Sequence, residues 1–135
     1  MSQRSVILVV DDDPMMLALE RMVLEQIGGY DVISTQDPAE AIDLASSQHA
    51  SAIVLDVSLG PNQNGIDLSK KIKNDERSKS VPILLATAHG EADKGKEILF
   101  QSGADAYIAK PFSSLQDLVG KVRALLARRL AEVSV

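Results

Sequence analysis

The sequence predicts a doubly wound α/β fold, in which a five-stranded parallel sheet carries helices on both faces. Short apolar runs rich in β-branched residues alternate five times with segments of helical period. The first run, SVILVV, is apolar without a break, as expected for a strand that is covered on both sides. The 135 residues are enough for one domain and contain no internal repeat or linker. In one common strand order of this class, 2-1-3-4-5, strands one and three are neighbours.

SVILVV is the first predicted strand, and the first helix follows it directly. Asp13 is expected to cap this helix, with Pro14 at its first position, where proline loses no hydrogen bond. Gly28 and Gly29 are expected to end it. Four apolar residues at helical spacing predict its buried face: Met16, Leu19, Val23 and Ile27.

The middle of the chain predicts two more strands and two more helices. YDVIS is a second, weaker strand, and the segment from Asp37 to Glu40 has the pattern of a capping box that opens the second helix. SAIVL is the third strand and ends at Asp56, before a loop rich in glycine, proline and asparagine. The third helix is expected to run from about Ile66 to Asn74.

The last third of the chain predicts two more strands, each followed by a helix. VPILLAT is the fourth strand, and the fourth helix is expected from Glu91 to Ser102, closed by Gly103. AYIA is a short fifth strand before Lys110, and the last helix should begin near Ser114. Its predicted apolar face consists of Leu115, Leu118, Val122, Leu125 and Leu126.

Composition narrows the classes of function. The net charge of −5 argues against a general nucleic-acid or anionic-membrane surface. The chain has no cysteine, which excludes disulfides and thiolate metal sites and suits a reducing cytoplasm. Its N-terminus has no signal-peptide pattern, and no apolar stretch reaches the roughly 20 residues of a membrane span. We therefore expect a cytoplasmic protein that neither binds nucleic acid directly nor inserts into membranes.

The carboxyl ends of the predicted strands carry acidic residues. Asp11 and Asp12 follow strand one and Asp56 follows strand three, so these acids converge if the two strands are neighbours, as in the 2-1-3-4-5 order. Carboxylates so close repel one another unless a cation joins them, and oxygen ligands suit a hard ion such as Mg²⁺. Strand four runs into Thr87, and Lys110 follows strand five. A carboxylate beside a metal, a hydroxyl and an ammonium predicts a phosphoryl-transfer site.

With these residues, the sequence resembles a receiver domain of the response regulators of two-component signalling, such as the chemotaxis receivers. The resemblance covers roughly residues 5–127 and rests on five segments in the family's order. These are VILVVDDDP, AIVLDVSLG, NGIDL, PILLATA and SGADAYIAKPF. The resemblance implies a flavodoxin-like fold and a single receiver domain over residues 1–135.

The resemblance also implies the roles of individual residues. Asp56 would accept the phosphoryl group, and Asp11, Asp12, Asp56 and the backbone carbonyl of Ser58 would hold Mg²⁺ or Mn²⁺. Thr87 and Ala88 would contact the phosphoryl group, Lys110 would pair with it, Tyr107 would be the switch aromatic, and the bond before Pro111 would be cis.

Partners are likewise implied by the resemblance. The donor would be a sensor histidine kinase or a histidine phosphotransfer protein. The output would be an effector or a second copy of the chain, bound through helix four, strand five and helix five. On this view the protein is a signalling phosphoacceptor in a phosphorelay and not an enzyme.

Three features depart from the commonest family pattern. The loop after Asp56 and the segment from Thr87 to Tyr107 each look one residue longer. Ser58 and His89 occupy positions at which the family varies and which tune the lifetime of the phosphoryl group. A solvated loop histidine is the simpler interpretation of His89.

Three alternative functions compete with this interpretation. The first is an interaction module with the receiver fold that is never phosphorylated, against which the complete residue set argues. The second is an aspartate-nucleophile phosphatase of the haloacid-dehalogenase type, which expects a small Thr or Val where Met15 stands. The third is an FMN carrier, whose phosphate loop the acidic DDDPMM segment does not resemble. The sequence also leaves open a stand-alone receiver or a part of a longer regulator or hybrid kinase.

Overall fold

A computed structural model describes residues 4–60, 63–88 and 94–133. These ranges contain one parallel sheet of five strands in the order β2-β1-β3-β4-β5, as the sequence predicted. The strands are β1 (Val6–Val10), β2 (Asp31–Thr35), β3 (Ala52–Asp56), β4 (Ile83–Ala88) and β5 (Ala106–Lys110). The α-helices in the same ranges are α1 (Pro14–Gln26), α2 (Ala41–Ser47), α3 (Gly65–Lys73), α4 (Gly95–Ser102) and α5 (Leu115–Val133).

The sheet is buried on both faces, which explains why its central strands are apolar throughout. Successive side chains of β1 point to opposite sides. Ile7 and Val9 pack with residues of α1 and α5, whereas Leu8 and Val10 pack with residues of α2, α3 and α4. All five residues of β3 are buried. The helices thus cover both faces and leave the edge at the carboxyl ends of the strands for polar residues.

The first helix starts as predicted but turns a different face to the sheet. The Asp13 carboxylate accepts the amide hydrogen of Met15 at 2.9 Å, and Pro14 is the first helical residue. The predicted face was wrong in part, because Ile27 is 43% exposed and Met16 and Leu19 are only partly buried. The start of the helix agrees with the prediction, but the buried stripe is rotated by about one position from the predicted one. The buried residues of α1 are Leu17, Glu20, Val23 and Leu24.

The second predicted helix opens without a complete capping box. Asp37 caps a short 3-10 turn, Pro38–Glu40, by accepting the amide hydrogen of Ala39, and α2 begins only at Ala41. The Thr35 hydroxyl accepts the Asp37 amide hydrogen at 3.0 Å and donates to Glu40 Oε1 at 2.8 Å. The threonine therefore takes the place of the direct bond from Glu40 to the Asp37 amide that the capping box predicts.

The remaining helix ends differ from the predictions by small amounts. Asn64 caps α3, which spans Gly65–Lys73 instead of about Ile66 to Asn74. Gly103 ends α4 in the left-handed conformation, at φ 72°, and residues 89–93, where this helix was predicted to start, lie outside the described residues. Leu115 is 37% exposed, so the core face of α5 begins at Leu118. Within the described part of the chain, no helix has the length and apolarity needed to cross a membrane.

The start of α4 lies directly against β5. Gly95 is buried, and a Cβ atom placed on it would overlap the aromatic ring of Tyr107. Tyr107 is itself partly buried among the residues that pack on this face of the sheet. The glycine is therefore required here for space, because the ring occupies the volume that a side chain would need.

We predict that Gly95→Ala lowers the melting temperature, whereas Gly120→Ala raises it. Both glycines are in helices, where alanine is favoured by up to about 1 kcal/mol, but only Gly120 has open space around its Cβ position. The overlap at Gly95 should cost about 1–3 kcal/mol. Thermal unfolding of the two variants measures the difference. Equal stability of the two variants would contradict this packing.

Candidate functional site

The carboxyl edge of the sheet brings together residues that are far apart in the chain. Val10 pairs with Leu55, so that Asp11 and Asp56 extend side by side from β1 and β3. Thr87 pairs with Ala109 and Ala88 with Lys110, on β4 and β5. Because all strands are parallel, their carboxyl ends meet at one edge, and the strand order places β1 and β3 in its centre.

Three carboxylates form the acidic cluster of Asp11, Asp12 and Asp56. Each offers one oxygen, and these oxygens lie within 4.8 Å of one another. Asp11 and Asp56 are buried, whereas Asp12 is exposed. An all-oxygen donor set with excess negative charge fits a hard divalent cation such as Mg²⁺ or Mn²⁺. The cluster could therefore hold a metal ion.

Lys110 is the cation that reaches this cluster. Its Nζ lies 3.0 Å from Asp56 Oδ2 and 3.4 Å from Asp11 Oδ2. Burial acts to lower the pKa of Lys110, but the hydrogen bond and charge of Asp56 and the charge of Asp11 outweigh it and raise the pKa. Lys110 is consequently a firmly protonated ammonium group that bridges the two buried acids.

Burial dominates the electrostatics of Asp56. It raises the pKa of this carboxyl to about 6, helped by the charge of Asp11 and opposed by the hydrogen bond from Lys110. The Ser58 amide also donates to Asp56 Oδ1 at 3.2 Å. Asp56 is thus a buried carboxylate whose oxygens are fixed by one ammonium and one amide, which leaves it oriented toward the open edge.

Two hydrogen bonds position Asp11 and Asp12, which lie in the loop between β1 and α1. The Asp13 amide donates to Asp11 Oδ1 at 3.0 Å, and Gln36 Nε2 donates to the Asp12 carbonyl at 3.0 Å. Asp13 itself serves as the helix cap, as the sequence predicted. The loop is therefore held at both sides of Asp12, whose exposed carboxylate is directed to solvent.

An open cavity of about 400 Å³ lies over the cluster. Asp12, Asp56, Ser58, Ala88 and Lys110 are among the residues that line it. Its residues come from the ends of four strands, β1, β3, β4 and β5, and from the loop after β3. A small group brought to Asp56 would therefore face the exposed carboxylate of Asp12, the Lys110 ammonium and the backbone around Ala88.

Thr87 is fully buried at the end of β4, and its hydroxyl has no hydrogen-bond partner among the described residues. Leaving a buried hydroxyl unpaired costs about 1–3 kcal/mol. The Thr87 hydroxyl could therefore donate a hydrogen bond to an oxygen atom placed beside it at the end of β4.

The other sequence-predicted residues lie around this edge. Tyr107 is in the middle of β5, against Gly95, and its ring does not form part of the cavity lining. The Lys110-Pro111 peptide bond is cis. His89 lies outside the described residues.

Sequence reasoning missed one ionisable residue of this region, Glu20. It is 1% exposed on the inner face of α1. Burial raises the pKa of Glu20 to about 8, and the charge of nearby Asp11 adds to the effect. The available signal was helical spacing, since Glu20 lies three residues after Leu17 and four before Leu24.

A second cavity, of about 440 Å³, opens at the opposite edge of the sheet. Both arginines that line it are already engaged. Arg77 forms ion pairs with Asp43 and Asp75, and Arg129 donates to the carbonyl oxygens of Ala50 and Ser51. The arginines of this cavity are therefore less available to a ligand than the carboxylates of the acidic cluster. We take the acidic cluster as the functional site.

Comparison with known proteins agrees with this site. Residues 7–123 match the family model of the response regulator receiver domain. The chain is 38% identical over 122 residues to the "DNA-binding dual master transcriptional regulator RpaA" of Synechocystis sp., covering 90% of this chain and 49% of that protein. It is 36% identical over 108 residues to the "polar-differentiation response regulator DivK" of Brucella ovis, covering 79% of this chain and 85% of the relative.

Solved structures give the same result. A CheY-like response regulator receiver domain protein from Methanospirillum hungatei JF-1 superimposes with a TM-score of 0.81 at 25% identity, over 96% of this chain and 99% of that one. The chain thus spans about half the length of RpaA and most of the length of DivK. With the parallel sheet and the acidic edge, these matches show that the chain belongs to the response regulator receiver domain family.

Proposed function

We propose that this receiver domain accepts a phosphoryl group on Asp56 from a phospho-histidine of a sensor kinase or a histidine phosphotransfer protein. The observation that carries the proposal is the buried Asp56 carboxylate, paired with Lys110 at 3.0 Å inside a cluster that can hold a divalent cation. Asp11, Asp12, Asp56 and the carbonyl of Ser58 are the proposed ligands of Mg²⁺ or Mn²⁺.

The chain's own residues suit an in-line displacement at phosphorus. An oxygen of Asp56 attacks, and the phosphorus–nitrogen bond to the donor imidazole breaks, with its electron pair leaving on the nitrogen. Lys110 stabilises the charge on the transferred group, and the Thr87 hydroxyl and the backbone of Ala88 offer hydrogen bonds. A bound divalent cation would supply the remaining charge neutralisation. Ser58 and His89 remain proposed modulators of the phosphoryl lifetime.

The output we propose is a changed surface formed by α4, β5 and α5. The Thr87 hydroxyl can satisfy its missing hydrogen bond with a phosphoryl oxygen, which would favour the state in which β4 moves inward. Tyr107, on the neighbouring strand, would turn with it. Phe100 on α4 is 90% exposed and would be available for contact with a partner or a second copy.

The first prediction is that acetyl phosphate labels Asp56 only when Mg²⁺ or Mn²⁺ is present, because the carboxylates otherwise repel the donor. Intact-protein mass spectrometry with and without EDTA measures the label. Asp56→Asn should abolish it, whereas Asp37→Asn is a matched control, because it changes a capping aspartate that does not line the cavity, and it should be labelled normally. Undiminished labelling of Asp56→Asn would refute the assignment.

The second prediction concerns pH and cation together. Folding raises the pKa of Asp56 from 3.8 to about 6 and that of Glu20 from 4.5 to about 8. The folded protein therefore keeps protons that the unfolded chain releases, so its free energy of unfolding should fall as the pH rises from about 4 to about 8. Mg²⁺ should restore stability at the upper end, by about 2.7 kcal/mol at a concentration 100 times its dissociation constant.

Thermal unfolding across this pH range, with and without Mg²⁺, checks the second prediction. Asp12→Ala should weaken or abolish the response to Mg²⁺, because it removes the exposed ligand and leaves both buried acids in place. A response that persists after removal of both Asp12 and Asp56 would place the cation elsewhere.

The third prediction concerns the switch. Beryllofluoride, a phosphoryl mimic, should change amide hydrogen exchange within residues 87–127 of the wild type. Thr87→Ala should still accept a phosphoryl group but show a weaker change, because the orphan hydroxyl is gone. Thr87→Ser, which keeps the hydroxyl, should respond like the wild type. An unchanged exchange pattern in the wild type, or equal responses in all three proteins, would rule out this switch.

A further inference from the structure

The turn that follows β2 contacts the backbone of the loop that carries Asp11 and Asp12. The strand β2 lies beside β1 in the sheet, and Thr35 pairs with Val10 at the end of the two strands. Just beyond this pair, the Asp11 amide donates to the Thr35 carbonyl oxygen at 3.3 Å, and Gln36 Nε2 donates to the Asp12 carbonyl oxygen at 3.0 Å. The turn therefore holds the acidic loop from the β2 side, whereas β3 lies on the other side of β1.

The peptide group between Asp12 and Asp13 is hydrogen-bonded at both of its polar ends. Its carbonyl oxygen accepts the hydrogen bond from Gln36 Nε2, and its N–H donates to Asp11 Oδ1 at 3.0 Å. The C=O and N–H groups of a planar trans peptide point in opposite directions, so fixing the direction of one fixes that of the other. Turning this peptide over would place a carbonyl oxygen beside the buried Asp11 carboxylate, which would repel it. The contact with Gln36 therefore keeps the amide directed at Asp11.

The backbone on both sides of Gln36 is held by other contacts. Thr35 is buried, and its hydroxyl accepts the Asp37 amide hydrogen at 3.0 Å and donates to Glu40 Oε1 at 2.8 Å. Asp37 in turn caps the short turn that follows. The side chain of Gln36 is exposed and reaches the acidic loop from this fixed turn. Its contact with Asp12 thus joins two loops whose positions are otherwise set by different strands.

We propose that Gln36 is a positioning residue of the acidic cluster, which orients the carboxylates of Asp11 and Asp12 by fixing the peptide between Asp12 and Asp13, so that divalent-cation affinity depends on it. This inference rests on the proposed function, because it takes Asp11 and Asp12 as ligands of the cation. Groups that hydrogen-bond around metal ligands fix their orientation, and loss of such a group commonly weakens metal binding by roughly 10–100-fold. The contact of Gln36 is exposed and acts through the backbone, so the effect here belongs at the lower end of that range or below it.

The test compares Gln36→Met with Gln36→Glu in the full chain. Methionine keeps the length of the side chain but has no donor. Glutamate places an acceptor opposite the Asp12 carbonyl oxygen, yet it adds a negative charge that on its own would strengthen the binding of a cation. Gln101→Met is the matched control, because Gln101 is also an exposed glutamine, and its amide donates to Glu97 at 3.4 Å on α4.

Three measurements are made on each protein. Isothermal titration with MgCl₂ gives the cation affinity, at high ionic strength so that exposed charges are screened. Thermal unfolding of the cation-free protein gives its stability. Hydrogen exchange of the Asp13 amide, followed by NMR in the cation-free protein, reports whether the peptide keeps its orientation toward Asp11.

We expect both Gln36 variants to bind Mg²⁺ roughly three- to tenfold more weakly than the wild type. Exchange of the Asp13 amide should become faster in both. The melting temperature of the cation-free protein should stay nearly unchanged, because the substituted side chain is exposed. Gln101→Met should match the wild type in all three measurements. A loss of affinity without a loss of stability is the result that a merely structural role does not produce.

Three results would overturn the inference. Binding of Mg²⁺ by Gln36→Met as tightly as by the wild type would show that the cluster does not need this contact. Tighter binding by Gln36→Glu would assign the effect of this position to charge and not to orientation. A melting temperature that falls together with the affinity in Gln36→Met would make Gln36 a structural residue of the turn. A wild-type protein that binds no Mg²⁺ would refute the proposed cation site and this inference with it, whereas the other results leave that site intact.

Discussion

Repulsion among carboxylates at one edge of the sheet is the constraint on which the rest of the site depends. Asp11, Asp12 and Asp56 bring their oxygens within 4.8 Å of one another, and two of the three are buried. One ammonium, that of Lys110, bridges Asp11 and Asp56 but cannot balance all three charges. The cation-free protein therefore stores an electrostatic imbalance, which a divalent ion or added protons can relieve.

The fold can support this imbalance because it separates the interior of the sheet from its edge. The strand β1 is apolar along its whole length and β3 is apolar up to Leu55, with Ile7 to Val10 and Ala52 to Leu55 almost completely buried. Burial of this kind contributes roughly 25 cal/mol per Å² of apolar surface, spread over both faces of the sheet. The apolar core thus supplies stability independently of the site, which allows the edge of the sheet to carry carboxylates whose repulsion opposes folding.

The alternation of apolar runs with helical segments predicted the parallel sheet and the residues at its strand ends, whereas the strand order came from the resemblance to receiver domains. A strand buried on both faces is a continuous apolar run, and the polar residue that ends the run marks the edge of the sheet, as Asp56 does at the end of β3. The buried face of α1 was harder to predict from the sequence. An apolar stripe through Met16 and Ile27 has the same helical spacing as the stripe through Leu17 and Leu24 that is buried. The choice of stripe decided whether Glu20 was expected inside. The contacts of Thr35 with Glu40 and of Tyr107 with Gly95 join different elements. Such contacts produce no periodic pattern in the sequence, so they could not be predicted from it.

The helix α5 connects the two edges of the sheet. It begins five residues after Lys110 and, at about 1.5 Å per residue, its 19 residues measure about 28 Å. Near its far end, Arg129 donates to the carbonyl oxygens of Ala50 and Ser51, just before β3 starts toward Asp56. The helix therefore starts close in sequence to the acidic edge and is hydrogen-bonded at its other end to the segment that leads into β3. Loss of the Arg129 side chain would leave two backbone carbonyl oxygens without this donor, at the end of the sheet opposite the acidic cluster.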